Sequence, residues 1–159
     1  MGKITETELL TYCGLYCGAC PIKNGQIRDT AKSLQALLSA CNYPEWAPTM
    51  ADFVPATRHY SEFEEVLAWL TTQDCSGCLA GGGDPQCAIR VCAKEKGLPG
   101  CWECAELNCE RLQRIDQGAS VAPENRQRIR EVGLEAWLAE QATQVETGFS
   151  YLGVFGGDE

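Results

Sequence analysis

The sequence predicts a mainly α fold, a small helical domain with a cysteine-rich irregular segment. Three observations predict it. Apolar residues recur at helical spacing in two separate stretches, residues 26–41 and 61–71. A third helical pattern follows Pro123. Seven of the eleven cysteines fall between Asp74 and Cys109, around the turn-rich LAGGGDPQ, where apolar residues are too few to form a core. At 159 residues, 45% of them hydrophobic, the chain is expected to be a single domain, 1–159, with cysteine-rich segments at 12–21 and 74–109 within it.

The elements follow in order. Thr5 and Glu8 have capping-box spacing ahead of Leu9 and Leu10, so a short helix is expected to lead into the first cysteines and to end at Gly14 and Gly18. Ile27, Ala31, Leu34, Leu37, Leu38 and Cys41 form one apolar helical stripe. Pro44, Pro48 and Pro55 then break regular structure repeatedly, which predicts a folded connector with aromatic anchors. Ser61 and Glu64 have the spacing of a second capping box, ahead of Phe63, Val66, Leu67 and Leu70 on one face. Beyond the cysteines, residues 110–117 suit one or two helical turns. Pro123 is expected as the first residue of a helix running through PENRQRIREVGLEAWLAEQA, with Glu124 and Arg128 as an i,i+4 pair. The tail FSYLGVFGGDE is too interrupted by glycine to read as a strand.

Charge excludes several partners. The formal net charge of -9 opposes nucleic-acid backbones and anionic lipids, and no dense basic run offsets it. The expectation is no nucleic acid and no membrane, with a protein or small molecule as partner. No apolar run reaches membrane-spanning length, and MGKITETELL lacks the apolar core of a secretory signal, so a soluble cytoplasmic protein with reduced thiols is expected. An odd cysteine count argues against a disulfide scaffold.

Three C-x2-C pairs stand out: Cys17/Cys20, Cys75/Cys78 and Cys101/Cys104. This spacing lets two thiolates converge on one cation while small residues turn the backbone around it. Cys13, Cys87, Cys92 and Cys109 lie around them. The bland reading of any one cysteine is a small buried hydrophobe. It is preferred for Cys41, which continues an apolar stripe, whereas glycine-rich surroundings are poor places to bury the paired thiols. His59 reads as a surface or packing residue. A structural tetrathiolate zinc site contributes on the order of 10–16 kcal/mol, comparable with the whole stability of a domain. Metal is therefore expected to decide whether residues 74–109 fold at all, making this a metal-stapled segment.

All-cysteine ligation suits zinc and iron–sulfur clusters alike. Knuckles far apart in sequence favour zinc, with two ions expected. The tight C-x3-C-x2-C of Cys13, Cys17 and Cys20, followed by Pro21, leans toward a [4Fe-4S] cluster, which is the alternative. That triple also has the spacing used by radical S-adenosylmethionine enzymes, but Ala19 stands where an aromatic residue is usual and the alternating strands and helices are missing. A thioredoxin-type dithiol in CGAC lacks its preceding strand. GGDE at Gly156–Glu159 is an incomplete echo of a cyclase signature, and GGGD at Gly81–Asp84 lacks the lysine of a phosphate loop and reads as a flexible turn. No catalytic residue is assigned.

Taken together, YCGLYCGACP, CSGC, IRVCAKEKG, CWECAELNC and VGLEAWL resemble the cysteine-rich family catalogued as domain of unknown function 3795, over roughly residues 12–140. The resemblance implies a metal-binding domain of unestablished activity. It places its pattern on Cys13, Cys17, Cys20, Cys75, Cys78, Cys92, Cys101, Cys104 and Cys109, with Cys87 a further candidate outside it. Nine is one more than two four-thiolate sites need. The expected partition is one site on Cys17, Cys20 and a downstream pair, and a second on Cys75 and Cys78 with ligands from Cys92 to Cys109. The function expected is that of a structural zinc-binding module for binding or interaction, or alternatively an iron–sulfur electron-transfer or sensing protein.

Overall fold

The computed structural model describes residues 6–118 and 121–153. Among them are seven α-helices and no strand, the mainly α fold expected. By their contacts, residues divide into two compact units: Gly25–Asp74, and Met1–Asn24 with Cys75–Glu159. They are called here the helical unit and the cysteine unit.

The helical unit holds α1 (Gln26–Ala40), α2 (Tyr43–Trp46) and α3 (Tyr60–Thr71). Tyr43, just past the end of α1, lies 5.3 Å from Tyr60 at the start of α3. Arg28 near the start of α1 feels the charge of Asp74 beyond the end of α3. The two long helices, which pack on each other, therefore run antiparallel. Each connector proline falls in the first turn of a short helix, where its missing N–H leaves nothing unpaired. Tyr43, Trp46 and Tyr60 form the anticipated aromatic anchor. Ser61 does not cap α3, which begins one residue earlier with His59 at its cap. Only part of each apolar stripe is buried: Ala31 and Leu67 are, whereas Leu37 is 68%, Val66 54% and Trp69 60% exposed. A helix pair covers only the strip between its members, so the flanks stay in solvent.

In the cysteine unit, Thr5 lies outside the described residues and a 3-10 turn spans Glu6–Leu9. Leu10 and Tyr16 then form an antiparallel bridge around the first cysteine loop. Helix α4 (Ala88–Glu95) interrupts the segment read as irregular. Next come α5 (Glu110–Gly118), α6 (Val121–Val132) and α7 (Leu134–Glu146). The long helix expected after Pro123 is thus two helices, and the first begins at Val121. Gly133 divides them: its φ of 86° is unfavourable for any residue with a Cβ. Arg128 directs its guanidinium to Glu140 and Glu131 rather than to Glu124. The tail residues from 154 onward, with the GGDE echo, lie outside the described residues.

The turn at Gly133 lets α7 fold back on α6, burying Ile129, Trp137 and Leu138 with Leu10, Tyr16, Ala19, Trp102 and Tyr151 in one core. Trp137 is fully buried and meets the Tyr16 ring edge-on at 6.1 Å. The Tyr16 backbone N–H donates to the Tyr151 hydroxyl at 2.7 Å, which ties the C-terminal turn to the cysteine loop. No helix among the described residues is long and apolar enough to cross a membrane. Removing that buried acceptor with Tyr151→Phe is expected to cost about 1–3 kcal/mol. Trp137→Ala should cost about 3–5 kcal/mol. Urea unfolding followed by circular dichroism measures both, and an unchanged midpoint in either variant would contradict this packing.

Candidate metal centre

Ten of the eleven cysteines belong to the cysteine unit, including all nine positions of the resemblance and Cys87. Cys41 belongs to the helical unit and is exposed, its thiol turned to the Leu38 carbonyl at 3.4 Å. The expectation that it packs as a buried hydrophobe fails because the stripe it continues is itself left in solvent. His59 also lies in the helical unit and is exposed.

Two of the C-x2-C pairs are built alike. Cys17–Ala19 and Cys101–Glu103 are 3-10 turns in which the N–H of Cys20 or Cys104 donates to the carbonyl of Cys17 or Cys101, both at 3.1 Å. In each, an aromatic ring lies over a glycine, Tyr16 over Gly18 and Trp102 over Gly100. A Cβ on either glycine would sit 2.4 Å or less from the ring. The second pair is a different turn. After Cys78 the chain folds back so that Gly82 N–H donates to Gly77 carbonyl at 2.8 Å, beside the Cys75 sulfur.

Arginines fasten these loops through their carbonyl oxygens. Arg126 of α6, 1% exposed, donates to the Cys13 carbonyl at 2.9 Å and to Asp116 of α5 at 2.6 Å. Neighbouring Asn125 donates to the Gly14 carbonyl at 2.9 Å. One turn on, Arg130 donates to the carbonyls of Trp102 and Cys104. Buried Arg90 of α4 donates to the carbonyls of Gly81 and Gly82, so the stretch read as a flexible turn is pinned. None of these arginines was foreseen. The available signal was weak: Arg126 and Arg130 are four apart and so share a face of α6.

The thiols stand close enough to affect one another. The Cys17 thiol is raised to about 11, chiefly by burial, with Cys78, Cys20 and Cys75 contributing to the rise and the Cys78 backbone N–H opposing it. Cys101 is raised to about 12, chiefly by burial, with Cys13, Cys109 and Cys104 contributing to the rise and Arg126 opposing it. Cys13 is raised by burial as well, against hydrogen bonds from Thr11 and the Leu15 backbone, with Cys78 and Cys87 as its thiol neighbours. The Cys101 N–H donates to the Tyr12 carbonyl at 2.8 Å, which brings the first loop to the third pair.

Cys92, Cys101, Cys104 and Cys109 line one cavity of about 20 Å³, together with Ile89 and Leu112. That is room for about one water-sized sphere. Lys96 reaches the Cys104 sulfur at 3.8 Å, and Arg90 approaches the Cys78 sulfur at 4.0 Å. Among the described residues, no three cysteine, histidine or carboxylate side chains already stand in metal-ligating geometry. The donor chemistry nonetheless fits a thiophilic cation: soft sulfur ligands on braced loops, with positive side chains beside them.

Fold and site thus describe a mainly α, cysteine-rich protein with converging thiol loops. The chain belongs to the family described as Protein of unknown function (DUF3795), whose match covers residues 9–114. VGLEAWL, at residues 132–138, lies beyond that span. Neither curated proteins nor solved structures gave a match.

The raised thiols fix a pH dependence for the metal-free, reduced protein. Cys17 and Cys101 hold their protons above the ordinary thiol value of 9.0 when folded. The folded state therefore binds more protons than the unfolded chain above that pH, and stability falls as pH rises from there toward 11 to 12. Read by near-ultraviolet circular dichroism of the Tyr16–Trp137 contact, which lies outside the segment that chelation is expected to open, the urea midpoint of chelator-treated, reduced protein should decline across this window. A flat profile would contradict the burial of these thiols.

Proposed function

We propose that this protein is a structural zinc-binding module, its cysteine unit held by two four-thiolate ions, and that it works by binding a partner rather than by catalysis. The observation that carries this reading is the single cavity lined by Cys92, Cys101, Cys104 and Cys109. The influence of Cys78, Cys20 and Cys75 on Cys17 supports a second set. That electrostatic grouping favours Cys75 and Cys78 as the downstream pair that joins Cys17 and Cys20, rather than as partners of Cys92 to Cys109. Cys13, adjoining Cys78, Cys87 and Cys101 electrostatically, is the ninth thiol of the family pattern and stands between the sets.

Zinc bound by four thiolates supplies structural bonds and offers no open position for a substrate. The chain's own residues do the rest. Burial keeps Cys13, Cys17 and Cys101 protonated in the metal-free protein, so loading must release protons. Arg126, Arg130 and Arg90 hold the loops through backbone oxygens, which leaves the cysteine side chains free to turn toward a common ion. Lys96 and Arg90 offset part of the charge that thiolates bring.

Freshly purified, reduced protein is expected to be colourless with about two zinc ions per chain. Cys104→Ser should retain one ion and Cys41→Ser both. Chelation should raise hydrogen exchange across residues 75–109 while α1 and α3 keep their protection. Brown protein carrying iron and sulfide would replace this reading with the iron–sulfur one. Metal-free protein whose exchange ignores chelator would end both.

A further inference from the structure

The helical unit presents an apolar face that its own packing does not use. Leu34 and Leu37 of α1 and Val66 and Trp69 of α3 are all exposed. At roughly 100° per residue, Leu34 and Leu37 lie about 60° and 120° to one rotational side of buried Ala31. Val66 and Trp69 lie about 100° and 160° to the same rotational side of buried Leu67. Because α1 and α3 face each other antiparallel, an offset of the same rotational sense carries both pairs to one side of the hairpin. Leu34, Leu37 and Val66 therefore lie on one side of the hairpin, with Trp69 continuing that apolar surface onto the outer edge of α3. Glu62 falls between Val66 and Trp69 around α3, and Glu65 flanks Trp69.

Charge selects the occupant. Residues 25–74 carry seven carboxylates against three basic side chains, a net charge of -4 with His59 neutral. A second copy would bring the same charge to the same face, and an anionic membrane would be repelled likewise. An amphipathic helix can lie along such a face through apolar residues at i, i+3 and i+7. We propose that this face docks an amphipathic, lysine- or arginine-rich helix of a partner protein. The proposal deepens the reading of the chain as a binding module by naming the class of partner, and it does not depend on which metal is bound.

The test uses the full, metal-loaded chain and a fluorescent Leu/Lys amphipathic peptide of about five helical turns. Two comparison peptides are a scrambled one of identical composition and a Leu/Glu one with the same apolar face. Saturable binding of the amphipathic Leu/Lys peptide alone is expected. Leu37→Glu with Val66→Glu should weaken it at least about tenfold, although both substitutions add negative charge. Glu62→Gln with Glu65→Gln should weaken it less and reduce its sensitivity to salt. Equal binding of the scrambled or Leu/Glu peptide, or binding indifferent to Leu37→Glu/Val66→Glu, overturns the proposal. So does no peptide binding accompanied by a dimer that the double variant dissolves in sedimentation, by binding to phosphatidylcholine vesicles, or by Trp69 shielded from oxidative labelling within the monomer. Metal analysis of the same samples separates failure of docking from failure of the zinc reading.

Discussion

The cysteine unit is organised around the buried guanidinium of Arg126. It joins the carbonyl of Cys13, the carboxylate of Asp116 and its own helix α6, so the first cysteine loop, α5 and α6 are fixed to one another through one side chain. Gly14 accommodates this approach: its φ is 93°, and a Cβ there would lie 2.7 Å from the Arg126 side chain. Removing either member of a buried ion pair leaves a charge without a partner at a cost of several kcal/mol, whereas forming the pair adds little net stability. What Arg126 contributes is therefore position more than stability. The loop that carries Cys13 is held where Cys101 and Cys78 can reach it.

That constraint explains why ten thiols gather in a unit with so modest a core. The core of Tyr16, Trp102, Trp137 and Tyr151 holds the helices and the two knuckles that resemble each other. It does not extend across the Cys75–Gly82 loop, which is held by its internal turn and by Arg90. Neutral thiols at such sites are weak packers, and ionising several together is costly without a cation. In the proposed account the cation supplies what the core lacks, and the helical unit, with few cysteines and an exposed apolar face, is left to meet a partner.

Much of the helix content was legible in the sequence because it rests on local periodicity. The stripe ending at Cys41 foretold α1, found at Gln26–Ala40, and Phe63, Val66, Leu67 and Leu70 foretold α3. The stripe could not say how much of itself would be covered, since Leu37 and Val66 depend on what packs beside the hairpin. Helix α4 was hidden because Ile89 and Ala93 give a single four-residue repeat amid cysteines and glycines. The split at Gly133 was written in one glycine inside a helical pattern, where positive φ and a tolerated helix interior look the same. For the candidate site, cysteine spacing marked the donors, but the carbonyl braces of Arg126 and Arg130 link positions 26 to 113 residues apart and leave no local pattern.

The central claim is that the thiols of this unit hold zinc in four-sulfur sites. Zinc K-edge X-ray absorption on the purified, reduced protein tests it directly. The account predicts about four sulfur neighbours per zinc at about 2.3 Å, with no nitrogen or oxygen in the first shell. A first shell containing nitrogen or oxygen, or an absorber that is iron rather than zinc, would contradict it.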